Sequence, residues 1–173
     1  MIRAALISIV LLATPASAQQ TITMKAAAMG NVSLLSRICM SVMFRQAQNG
    51  AAFVNAGYTY RSVDRGVNQY GIHRGVGHYF DAPADTAHAQ VDDPNRPAGI
   101  CSVYTKVLNE GEFTSVVASA IQQFYPTAQR RGPNQWSISQ SGGLPLILSI
   151  STIGNNHKYE APGTVQLSMS YPG

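Results

Sequence analysis

The chain of 173 residues carries 12 basic and 8 acidic side chains, a formal net charge of +4, and 45% of its residues are hydrophobic. This length is sufficient to bury the core of one domain. The basic residues are scattered, with Arg130-Arg131 as the only adjacent pair, and no aromatic-basic stripe suggests a nucleic-acid face, which argues against a nucleic-acid partner.

The N-terminus has the three parts of a secretory signal peptide. Arg3 supplies the positive charge, residues 4–13 form the apolar stretch, and Ala16-Ser17-Ala18 offers small residues to signal peptidase. An apolar stretch of ten residues is too short for a membrane anchor, which needs roughly 20. We therefore expect residues 1–18 to be a signal peptide, and residues 19–173 to be a single periplasmic or secreted domain. Its net charge is +3, because Arg3 is lost. No later segment is predicted to span a membrane.

The first helix is predicted at residues 32–49, where apolar side chains recur three and four positions apart. These side chains are Leu35, Ile38, Cys39, Val42 and Met43. Residues 19–29 show no clear period and are predicted to form a short leading strand or a loose arm. Gly50 is expected to end the helix, and Cys39 to face the core.

Three weak strands are predicted next, at residues 52–60, 71–80 and 87–91. A clearer strand follows at residues 100–107, where alternation places Cys101 on the buried face.

The two cysteines of an exported chain favour a disulfide. We predict a bond between Cys39 and Cys101, 62 positions apart, with two buried free thiols as the alternative. In the chain-entropy treatment a loop of this size stabilises the fold by roughly 4 kcal/mol.

The second helix is predicted at residues 110–124, which carry a long apolar stripe from Phe113 to Phe124. Asn109 and Glu112 have the spacing of a capping box, and Pro126 ends the run.

The remaining chain is predicted to form a hairpin of residues 134–140 with 146–153, followed by a terminal strand over residues 164–171. The order helix, several strands, helix, three strands predicts an α+β fold with two amphipathic helices packed on one face of a mostly antiparallel sheet. The same order allows a division into two helix-plus-strands halves.

The polar segment from Asp64 to Pro97 is where the sequence concentrates groups for chemistry. These groups include His73, His78, His88, Asp81 and Asp85. His73 and His78 are five positions apart and would face opposite sides of one strand, so we predict no metal and no cofactor. No Gly-x-Ser-x-Gly elbow is present, and the serines at alternate positions of the later strands indicate the solvated face of a sheet.

Aromatic residues interleaved with arginine and histidine give the candidate binding residues, because tyrosine and arginine are favoured at interfaces. The candidates are Tyr58, Tyr60, Arg61, Arg74, His78, Tyr79 and His88. Ordinary half-buried strand aromatics are the alternative.

The sequence therefore favours an exported, soluble, non-enzymatic binding or envelope-accessory domain. Its expected partner is another envelope protein or an anionic envelope component. The alternative is a small extracytoplasmic hydrolase or metal-binding protein that uses the histidines and aspartates of residues 73–93.

Overall fold

The computed structural model of the chain describes residues 16–44, 49–67, 70–72, 75–95, 99–139, 141–155 and 160–172. The helices are α1 (Ala16–Met43), α2 (Asn49–Asn55) and α3 (Glu110–Phe124). The strands are β1 (Thr59–Asp64), β2 (Val76–Asp81), β3 (His88–Val91), β4 (Ile100–Thr105), β5 (Gln129–Gly132), β6 (Gln135–Ile138), β7 (Leu146–Thr152) and β8 (Val165–Ser170). Most of the predicted signal peptide, residues 1–15, lies outside the described residues.

The strands form one antiparallel sheet in the order β1-β2-β3-β4-β8-β7-β6-β5, which confirms the predicted α+β class. In the described residues, the first half of the chain contributes α1, α2 and four strands, and the second half contributes α3 and four strands. Each set of four strands pairs in sequence order, and the halves meet where β4 pairs with β8. The prediction of three strands in the second half was wrong, because β5 was missed. Its sequence Gln-Arg-Arg-Gly has no apolar alternation, and the strand is largely exposed.

α1 begins much earlier than predicted, so residues 19–29 are helical and form neither a strand nor a loose arm. Alanine, methionine and lysine in this segment are strong helix formers. Its period was not visible because no side chain of residues 19–27 is fully buried: Ile22 is 70% exposed, and Ala28 is the first buried side chain after position 18.

The predicted end of the first helix and the predicted strand at residues 52–60 were also wrong. α1 ends at Met43, and Gly50 and Ala52 lie inside α2. α2 buries Phe53, whose ring stacks on Phe80 of β2 at 4.4 Å between centroids. The prediction assigned Phe53 to the buried face of a strand, whereas Phe53 is the buried side chain of a short helix.

The predicted disulfide between Cys39 and Cys101 is present and joins α1 to β4, with the two Cα atoms 5.6 Å apart. Both residues are fully buried within the main hydrophobic core. α1 also contacts β3, β8 and α3, while α3 contacts β7. The disulfide thus lies at the contact between the longest helix and a central strand.

The predicted bounds and cap of α3 are confirmed. The Asn109 side chain accepts a hydrogen bond from the backbone N–H of Glu112, and the Glu112 carboxylate accepts one from the backbone N–H of Asn109. Lys25 of α1 also lies 2.7 Å from Glu112, so the cap ties the two helices together.

The expectation that no segment after the signal peptide could span a membrane was wrong, because one helix is long and apolar enough to do so. Gln19–Met43 of α1 is helical over 25 residues and apolar enough to cross a bilayer. However, its second half supplies Leu35, Cys39 and Met40 to the core, as the core helix of a globular domain does. The first-helix prediction missed this length because it began the helix at residue 32.

Candidate functional site

The two faces of the sheet differ in chemistry. The disulfide places α1 on the face that carries Cys101, here called the inner face; the opposite one is the outer face. The strand register brings polar side chains of the outer face into two neighbouring rows. The first row is Arg61, Tyr79, Gln90, Ser102, Ser168, Ser149 and Gln135, and the second is Asp81, His88, Tyr104, Gln166 and Ser151.

At the β1 end of these rows, Arg61 and Asp81 form a bidentate ion pair. Arg61 donates from Nε at 2.7 Å and from the second guanidinium nitrogen at 3.1 Å to the two carboxylate oxygens. The guanidinium lies over the Tyr79 ring, 4.6 Å from its centroid. The hydrogen bond to Asp81 raises the pKa of Arg61, so this side chain carries a fixed positive charge held flat on an aromatic ring.

Beside the ion pair lies a group of four side chains, Tyr79, His88, Tyr104 and Glu160, here called the His88 cluster. The His88 ring stacks on Tyr104 at 4.9 Å and meets Tyr79 edge-on at 5.8 Å. His88 Nε2 lies 3.1 Å from Glu160 Oε1, and the side chains are only 12% and 7% exposed. The ring is therefore held by one stacked ring, by one edge-on ring and by a contact at one nitrogen.

Tyr104 continues the cluster towards the centre of the sheet. Its hydroxyl donates to Gln90 at 3.3 Å and accepts from the Gln166 amide at 3.2 Å. Gln166 also donates to Ser168 at 2.6 Å. Burial raises the pKa of Tyr104 to about 12, so its hydroxyl stays protonated. Tyr104, Gln90, Gln166 and Ser168 therefore form a neutral hydrogen-bonded network.

The other predicted binding residues do not join this surface. Tyr58 is buried, with its hydroxyl 3.4 Å from the side-chain oxygen of Asn31, and burial raises its pKa to about 12. Tyr60 and His78 face the inner side at the β1 edge and bond to each other at 2.8 Å. Arg74 lies outside the described residues.

The histidines considered for metal binding are also separated. His78 pairs with Val91 and His88 with Asp81, which puts the two histidines on opposite faces of the sheet. Asp85 sits exposed in the turn Pro83–Asp85, and His73 lies outside the described residues. In the part of the chain that the structure describes, no three His, Cys, Asp or Glu side chains come together as a metal site would require.

Sequence reasoning missed several members of the outer face, among them Tyr104, Gln166 and Glu160. Tyr104 and Gln166 occupy outward positions of strands that were predicted, so alternation with the cysteine-bearing face could have found them. Glu160 lies between β7 and β8 in the sequence and reaches His88 across 72 positions, for which the sequence holds no signal.

Comparison of the chain with protein-family models, with curated proteins and with solved structures gives no match. The structure itself has two features compatible with export, an apolar N-terminal helix and a disulfide.

Proposed function

We propose that the mature chain is an exported, soluble, non-enzymatic domain that binds another envelope protein through the outer face of its sheet. The observation that carries the proposal is the pair of polar rows, which runs from Arg61 on β1 to Gln135 on β6. Tyrosine, arginine and amide side chains that are already ordered lose little conformational entropy on binding.

The charge on this surface favours a protein partner over an anionic polymer. Arg61 is neutralised by Asp81, and His88 lies against Glu160. A polyanion needs uncompensated cations, whereas a protein surface is recognised by matched hydrogen bonds and paired charges.

The experiment compares an Arg61→Ala variant with Arg130→Ala. Arg130 is a matched control because it also lies over an aromatic ring, that of Trp136, at 5.7 Å, but at the far edge of the sheet. Tagged protein expressed with its signal peptide is cross-linked in cells, and captured proteins are quantified by mass spectrometry.

We expect intact mass to show a chain that begins at Gln19, and at least one exported protein to be captured by the parent and by Arg130→Ala. Arg61→Ala, and a Ser149→Arg variant that places a bulky charge in the first row, should lose that protein. Equal capture by all four proteins, or a chain retained in the cytoplasm, would contradict the proposal.

One observation favours the alternative of a small extracytoplasmic hydrolase. The contact of His88 with Glu160 has the form of a general base oriented by a carboxylate. Hydrolysis of model esters or amides that disappears in both His88→Gln and Glu160→Gln, with melting temperatures unchanged, would support this alternative.

A further inference from the structure

A cavity lies between α1 and α3, away from the outer face of the sheet. It has a volume of about 350 Å³, within the range of small-molecule sites. Leu34 and Ile38 of α1, Ala52 of α2 and the aromatic residues at the end of α3 supply an apolar wall. Phe124 at this wall is 38% exposed, an unusual position for a large aromatic side chain.

One positively charged side chain lies at this wall. Arg37 lies over the Phe124 ring at 4.0 Å from the centroid, and it is the only charged side chain among the described lining residues. The described residues include all 8 acidic side chains, and none of them forms an ion pair with Arg37. An arginine stacked on a ring keeps the N–H groups at its edge free to donate to a carboxylate.

Two hydroxyls lie at the same cavity, those of Ser41 and Tyr125. Burial raises the pKa of Tyr125, so its hydroxyl remains a neutral donor. The site thus combines an apolar trough, one unpaired cation and neutral hydroxyls. The disulfide of Cys39, which does not line the trough, holds α1 to the sheet.

We propose that this trough binds a free single-chain carboxylate of the fatty-acid type, with the chain along Leu34, Ile38 and Phe124 and the carboxylate at Arg37. The inference does not depend on the partner proposed for the outer face. A cavity of this volume suits one acyl chain, so a monomeric ligand is favoured over a bilayer surface.

The test titrates mature protein with decanoate below its micelle concentration, with the methyl ester of decanoate, and with phosphatidylglycerol vesicles. Binding is followed by calorimetry and by amide NMR shifts. The variants are Arg37→Gln, which removes the cation, and Ala52→Leu, which fills the trough. Arg131→Gln is the control, since Arg131 is an exposed arginine on β5. Ser41→Leu replaces Ala52→Leu if the latter lowers the melting temperature.

We expect saturable binding of decanoate, with amide shifts in α1, α2 and the end of α3. Arg37→Gln should weaken it about tenfold, the loss of one charge-assisted hydrogen bond. The methyl ester should bind the parent about as weakly as decanoate binds Arg37→Gln. The Arg37→Gln substitution should not weaken binding of the ester any further. The filling variant should weaken both ligands, while Arg131→Gln and Arg61→Ala should bind like the parent.

No saturable binding, equal affinity of acid and ester, an equal loss in Arg131→Gln, or binding to vesicles alone would each overturn the proposal.

Discussion

Removing the disulfide should destabilise the fold strongly, because it closes a loop of 62 positions between the longest helix and a central strand. The chain-entropy treatment gives about 4 kcal/mol for such a loop, a large share of the stability of a small domain. A Cys39→Ala, Cys101→Ala double variant should therefore melt about 8 to 16 °C below the parent. A Cys39→Ser, Cys101→Ser variant should lose more, because each serine hydroxyl would be buried in apolar surroundings at about 1–3 kcal/mol.

The measurements are the melting temperature and the urea midpoint, taken without reductant for the oxidised parent and the variants. The parent measured with reductant is the control that keeps both sulfur atoms. Thiol titration of denatured, non-reduced parent should find no free thiol. The reasoning fails if oxidised parent, reduced parent and the alanine variant unfold at the same urea concentration, or if two thiols titrate in the denatured parent.

Three further predictions concern the helices. Asn109→Ala should cost about 1 kcal/mol by breaking the capping box, measured by urea unfolding. The bond from Lys25 and the cap lower the pKa of Glu112, so its contribution is present above the ordinary carboxyl pKa of 4.5 and is lost as pH falls through the lowered folded value. Unfolding midpoints of the parent and Glu112→Gln should therefore differ at pH 7 and converge in strong acid; a constant difference would contradict this assignment. Phe53→Ala should cost about 3–5 kcal/mol, because Phe53 is fully buried against Phe80. The matched variant Phe124→Ala, at a 38% exposed ring, should cost no more than about 1 kcal/mol; similar losses would mean that the roles of α2 and α3 have been misread.

The sequence was sufficient to predict a helix or strand wherever one face of that element is buried and the other is exposed to solvent. α3 and β8 show clear periods of that kind, and their bounds were predicted within two residues. The disulfide followed from the same patterns, since both cysteines lay on predicted buried faces. Elements that bury little gave no such signal, which is why the first turns of α1 and the whole of β5 were missed.

The candidate surface was predicted only in part, for a different physical reason. Arg61, Tyr79 and His88 were singled out by residue type, but type does not say on which face of a strand a residue lies. A register shift of one residue exchanges the faces, and the weak strands around residues 52–80 did not define their register. Tyr60 and His78 consequently appeared in the same set although they point to the inner side.

The outer face is more than the solvated side of a sheet, because its central side chains are buried without being apolar. Tyr79, Tyr104 and Ser102 are each only 4% exposed. Large side chains with polar tips shield the strands, and neighbours hold several of these tips, as Gln166 holds Tyr104 and Glu160 holds His88. These bonds order the side chains before any partner arrives. A partner that meets it would be selected by the positions of hydrogen-bonding groups, and a change of one tip such as Arg61→Ala should reduce binding more than its own contact accounts for.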